Sequence, residues 1–134
     1  MAYFVGILDG SKTVWGVRVP DLPGVHGGGK SPEDAIADAV KAAREWAAYQ
    51  TTHGLQIPMP RSVQAVKADA SVDLDPASES LVMIPLVIDR GRPVKANVSL
   101  DAGQLEAIDA EAARRGLTRS AFLAAAALEL IARP

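Results

Sequence analysis

Lys95, Asn97 and Ser99 alternate with Ala96, Val98 and Leu100 in the run Val94-Lys95-Ala96-Asn97-Val98-Ser99-Leu100. An ammonium, an amide and a hydroxyl form a hydrogen-bonding set rather than a bond-breaking one. At a period of two they share one face of a strand, and the three apolar residues share the other. The elements around them are equally marked. Asp101 is placed to cap a helix whose Leu105, Ile108 and Ala112 recur at helical spacing until Gly116 supplies a left-handed stop. Thr118 then caps a second helix, Arg119 to Ala132, with Phe122, Leu123, Ala126 and Ile131 among its apolar positions. A strand and two helices this short cannot bury their own apolar face, so the unit is expected to dimerise.

Residues 92 to 133, and above all Gly116-Leu117-Thr118-Arg119-Ser120-Ala121-Phe122-Leu123, resemble the ribbon-helix-helix repressors. In those proteins two chains pair one strand each and the ribbon enters the DNA major groove. The resemblance implies that Lys95, Asn97 and Ser99 read bases. Lysine can donate to guanine O6 and N7, asparagine can pair bidentately with adenine, and serine can donate or accept. It implies that Thr118, Arg119 and Ser120, at the free N–H groups of a helix start, hold a phosphate and fix register. Residues 92 to 134 hold six Arg or Lys and five Asp or Glu, so any basic footprint has to be local to the ribbon.

With 134 residues and 49% hydrophobic content, the chain suits one ordinary domain or two small ones, and two fit its pattern better. It has no cysteine, hence no disulfide framework and no thiolate metal site, which suits a reducing cytoplasm. A formal net charge of -2 excludes a polycation that coats nucleic acid indiscriminately. The sequence lacks a signal-peptide pattern and any apolar run of membrane-spanning length. A cytoplasmic, soluble protein without a membrane partner is expected.

The amino-terminal half opens with strands over Tyr3 to Leu8 and Thr13 to Val19, joined by Asp9-Gly10-Ser11-Lys12, whose Asp-Gly step predicts the hairpin turn. Pro20-Asp21-Leu22-Pro23-Gly24 breaks the ladder, and Val25 to Gly29 is a short third strand. Ser31-Pro32-Glu33-Asp34 starts a helix, with serine at the cap, proline at the first position and acids in the first turn. Ile36, Ala39, Val40, Ala43 and Trp46 mark its buried stripe up to about His53-Gly54. Beyond it, Leu55 to Pro60 is extended, Arg61 to Ala68 suggests a short helix, and Val72 to Ser80 is loop. Leu81 to Ile88, apolar on both faces, is a last strand of the first domain, with Pro85 pointing to an edge or a bulge. Asp89 to Pro93 is then a hinge.

Trp15-Gly16-Val17-Arg18-Val19-Pro20-Asp21-Leu22-Pro23-Gly24, the Ser-Pro-Glu-Asp-Ala helix start and Arg44-Glu45-Trp46 resemble the amino-terminal domain of HicB antitoxins. That family commonly has a bulky residue where Arg18 stands and often a cysteine where Val25 stands. The resemblance implies an α+β protein. Residues 1–88 would be a partial RNase H-like β-β-β-α-β domain, 89–93 a hinge, and 94–134 the ribbon-helix-helix (β-α-α) domain. It implies a HicA-like ribonuclease toxin as partner, with the toxin's active site covered by the first domain. Trp15, Asp21, Leu22 and His26 are the candidate contacts, and an ordinary core or turn role is the competing reading for each. Trp46 reads as core.

Catalysis is not expected, nor any metal or cofactor. A two-metal nuclease needs acids converging on the sheet, yet the first strand has none and Asp9 and Asp21 fall in turns. No serine sits in a Gly-x-Ser-x-Gly elbow, and His26 and His53 lack partners at ligand spacing. Gly24 to Ser31 formally matches a phosphate-binding loop, but it overlaps the third strand and the remaining chain is too short for a nucleotide-binding domain. Taken together, the expectation is an antitoxin that neutralises a toxin and represses its own operon by binding operator double-stranded DNA as a dimer or tetramer. The alternative is an orphan regulator of the same build with no toxin.

Overall fold

The computed structural model describes residues 1–133. The chain folds as two compact units, Met1–Asp89 with the chain end from Ala132, and Arg90–Ile131.

In the first unit, β1 (Ala2–Ser11), β2 (Val14–Arg18), β3 (His26–Gly29) and β4 (Ser80–Leu86) form one antiparallel sheet in the order β3-β2-β1-β4. The hairpin departs from expectation. Ser11 pairs with Val14, so the tip is Lys12-Thr13, and Lys12 takes the positive φ of 57°. Asp9 and Gly10 are ladder residues opposite Gly16 and Trp15. The longer ladder sets Leu8 across from Val17, and this pairing outweighs the local Asp-Gly preference. Pro85 lies on edge strand β4 opposite Tyr3, where a missing N–H costs no ladder bond.

Helix α1 (Pro32–Thr52) starts at Ser31, whose hydroxyl accepts from the Asp34 amide at 3.1 Å, with Pro32 at its first position. It ends in a Schellman turn: Leu55 N–H donates to Gln50 C=O, Gly54 N–H to Thr51 C=O, and Gly54 has a φ of 65°. Its innermost residues are Ala35, Ala39, Val40, Ala43 and Ala47, whereas Ile36 and Trp46 are half-buried at the flanks of the stripe. The reason is close approach. A Cβ on Gly27 would sit on the backbone of Ala35 and Ala39, and one on Gly29 would lie 2.6 Å from the Asp34 Cβ. Glycine in β3 and alanine in α1 together bring the helix down onto the sheet.

The helix side of the sheet carries Phe4, Gly6 and Leu8 with Val17, Ile84 and Leu86. The other side carries Val5 and Ile7 with Arg18 and Pro85, and Val5 and Ile7 are equally buried. Helix α2 (Val63–Ala68), capped by Ser62, buries Val66 completely.

In the second unit, α3 (Ala102–Arg114) is capped by Asp101, which accepts from the amides of Gly103 and Gln104. It closes in a second Schellman turn, Leu117 N–H to Ala112 C=O and Gly116 N–H to Ala113 C=O, with Gly116 at a φ of 69°. Helix α4 (Arg119–Ala132) starts at Thr118, whose hydroxyl accepts from the Ala121 amide at 3.1 Å. Val94 to Leu100, expected as a strand, forms no ladder. A strand exists only through a neighbour's hydrogen bonds, and one copy of this chain offers that segment none.

Candidate functional sites

The first site is built where β2 gives way to the Pro-Gly turn and the chain re-enters β3. Val19 and Val25 are joined by a backbone bond at 3.3 Å, and Leu22 bonds to both through its main chain. This closes Pro20 to Gly24 into a compact turn with the Leu22 side chain wholly buried beneath it. Asp21 accepts from Arg61 three ways: from Nη2 at 2.7 Å, from Nε at 2.9 Å and from the backbone amide at 3.3 Å. Arg61 Nη1 also reaches Asp69 at 2.9 Å. The hydroxyl and amide of Ser71, and then Arg61, hold the Asp69 carboxyl down at about 2.

Arg18 makes a second clamp. Its Nη1 donates to Glu79 at 2.6 Å and its Nη2 to the Asp73 carbonyl, and the hydrogen bond from Arg18 holds Glu79 below the usual carboxylate range. Arg18 pairs across the ladder with Ile7, so these bonds draw residues 73 to 79 over the sheet face opposite α1. Arg18 is therefore an anchor for the chain crossing that face. Between the two clamps lies an open cleft of about 480 Å³, lined by Arg18, Pro20, Pro23, His26, Arg61 and Asp73 among others.

The expected toxin contacts separate here. His26 is exposed at the cleft rim on edge strand β3. Asp21 is committed to Arg61, and the Leu22 side chain is wholly buried in the core. Trp15 is half-buried against the core on the helix side, its Nε1 donating to Lys12 C=O at 3.0 Å, and does not line the cleft. Arg18, Arg61, Asp69 and Glu79 escaped the sequence reading because their partners stand up to 61 residues away, and no local spacing encodes such a pair.

In the second unit, Lys95, Asn97 and Ser99 lie exposed along an extended, unpaired segment. Arg119 is held by Asp109, Nε and Nη2 each at 2.8 Å from one carboxylate oxygen, which lowers the Asp109 pKa. Arg119 and Ser120 are exposed in the first turn of α4, and Thr118 caps it. The surrounding apolar side chains are poorly covered: Val94, Val98, Leu100, Leu117, Leu130 and Ile131 are exposed, and Leu105, Ile108, Phe122 and Leu123 half-buried. Among the described residues from Arg90 to Ile131, Ala112 alone is buried.

These features define a two-unit α+β protein in which a clamped antiparallel sheet domain is followed by a small helical unit with uncovered apolar side chains. The chain belongs to the HicB-like antitoxin family: the model of that family, described as a HicB-like antitoxin of bacterial toxin-antitoxin system, matches residues 3–127. The crystal structure of the Burkholderia pseudomallei antitoxin HicB is similar at 30% identity, with a TM-score of 0.53 over 98% of this chain and 97% of that one. Antitoxin HicB3, at 23% identity and a TM-score of 0.54, shares the fold over 96% of this chain and 97% of its own. So does a toxin-antitoxin complex from Streptococcus pneumoniae, at 15% identity and a TM-score of 0.51 over 93% of this chain and 95% of that one. No curated protein matches the chain. Among the described residues, no helix is long and apolar enough to cross a membrane.

Proposed function

We propose that this chain is an antitoxin and autorepressor. Its first unit, read as a partial RNase H-like fold, binds and covers a small HicA-like ribonuclease toxin. Its second unit pairs with that of another copy as a ribbon-helix-helix dimer and holds operator DNA. The mechanism is occlusion, with no catalytic step and no cofactor.

The observation that carries the reading is the second unit's uncovered apolar surface beside an unpaired extended segment. Pairing Val94 to Leu100 with the same segment of a second copy satisfies its backbone groups and turns Ala96, Val98 and Leu100 inward. Lys95, Asn97 and Ser99 then face outward, where a two-stranded ribbon meets base edges. For the first unit, family membership and the relative solved within a toxin-antitoxin complex support a toxin partner. His26 at the cleft rim remains the exposed member of the contact set.

The test is co-expression with the product of the adjacent short gene, read by size-exclusion chromatography with light scattering and by growth. A stable complex that restores growth supports the antitoxin reading. Absence of both complex and toxicity leaves an orphan DNA-binding regulator.

A further inference from the structure

The two units carry opposite charge. Residues 1–89 with 132–134 hold eight basic and eleven acidic residues, a net of -3, while residues 90–131 hold six basic and five acidic, a net of +1. Much of the second unit's positive charge is neutralised locally. On its helices Arg114 and Arg115 both pair with Glu111, and Arg119 pairs with Asp109. Arg90, Arg92 and Lys95 differ: all three are exposed, and none has a hydrogen-bond or ion-pair partner among the described residues. The unit's unneutralised cations thus cluster in six residues of extended chain.

Two backbone features separate Arg90 and Arg92 from the expected ribbon strand. Gly91 has a φ of 76°, which turns the chain, and Pro93 has no N–H to give to a ladder. Pairing can therefore begin only after Pro93, and the two arginines stand outside it. From Lys95 to Ser99 the polar face spans about 13 Å at ~3.3 Å per residue, and a two-stranded ribbon of that kind fits a major groove ~12 Å wide, which phosphates border on both sides. A chain that leaves the paired ribbon before Pro93 would run toward one of those phosphate borders.

We infer that Arg90 and Arg92 are a phosphate-binding arm of the DNA site, one from each copy flanking the ribbon, with the phosphodiester backbone of double-stranded DNA as ligand. The inference rests on the proposed DNA binding of the second unit. The arm supplies sequence-independent attraction that the paired helix arginines supply poorly, and leaves discrimination to Lys95, Asn97 and Ser99.

The test uses the full-length protein, a duplex from upstream of its own gene, and an unrelated duplex of equal length. Binding is followed by fluorescence anisotropy across a salt series for wild type, R90A/R92A, R90K/R92K and N97A. Loss of two phosphate contacts per copy, four per dimer, should reduce the slope of log K against log salt by roughly 3 to 4. R90A/R92A should weaken both duplexes by the same factor, on the order of 10-fold or more at moderate salt, while R90K/R92K keeps the slope and N97A affects only the upstream duplex. Neither arginine has a hydrogen-bond or ion-pair partner among the described residues, so helix content should not change. An unchanged salt slope in R90A/R92A overturns the arm while leaving DNA binding intact, and so does a loss confined to the upstream duplex. A wild-type protein that binds neither duplex overturns the DNA-binding reading, and the arm with it.

Discussion

Asp69 is held near 2 against an ordinary value of 3.8 by the Ser71 hydroxyl, then the Ser71 amide, then Arg61. Glu111 is held near 2 against 4.5 by Arg114 and then Arg115. A carboxylate whose folded pKa is depressed favours folding fully above its unfolded value, and that contribution is lost as pH falls toward the folded one. Stability should therefore decline between about pH 4.5 and pH 2 for these two groups. A series of urea midpoints over that range should show it, and Asp69→Asn should flatten the first unit's share. In the second unit, Asn97→Ala should cost roughly 1 to 3 kcal/mol per base contact, counted twice in a symmetric dimer, and relax sequence preference. Competition binding against operator variants measures both effects. Arg119 makes a different prediction. Its pair with Asp109 is exposed and screened by water, so its guanidinium can be shared with a phosphate, and replacing it should weaken all duplexes alike.

The packing of α1 on β3 depends on residues that contribute almost no side chain. Gly27→Ala drives a methyl into the Ala35 and Ala39 backbone, and overpacking of this kind costs about 1 to 3 kcal/mol. A lower urea midpoint with an unchanged denaturant slope is the expected result. Helix ends were legible in the sequence: Ser31, Asp101 and Thr118 cap where serine, aspartate and threonine should, and Gly116 stops α3 in the left-handed region. Such signals lie within a few residues of the bonds they make. The hairpin tip was not legible, because Lys12-Thr13 follows from the pairing of Leu8 with Val17 rather than from the Asp-Gly step. The alanine floor of α1 was only half legible for a similar reason: the glycines that select it stand on another element.

At the level of the whole chain, the proposed ribbon-helix-helix pairing would make the second unit depend on a second copy. Val98 is 67% exposed, so Val98→Asp removes little from a single chain but places a charge in the proposed dimer core. Light scattering should show the mass fall to that of one chain, with DNA affinity down at least about 10-fold. Toxin and operator would engage different units of one polypeptide, so the toxin-to-antitoxin ratio should alter operator affinity by linking or blocking dimers. Titrating toxin into a fixed antitoxin–operator mixture reads this directly, and an affinity that stays flat at every ratio removes the linkage.

The order of the elements in the first unit, the helix caps, the edge or bulge signalled by Pro85 and the alternation of Lys95, Asn97 and Ser99 could be read along the chain, because periodicity and capping are local properties, whereas the strand expected over Val94 to Leu100 forms no ladder. The clamps of Arg18 on Glu79 and of Arg61 on Asp21 and Asp69, the burial of Leu22, and the contrast between paired helix arginines and unpaired Arg90 and Arg92 could not. Each depends on which residues meet after folding, and a pair separated by 40 or 61 positions leaves no trace in spacing. The arginines all carry the same charge, and it is the folded chain that decides which are neutralised and which stay free for a partner.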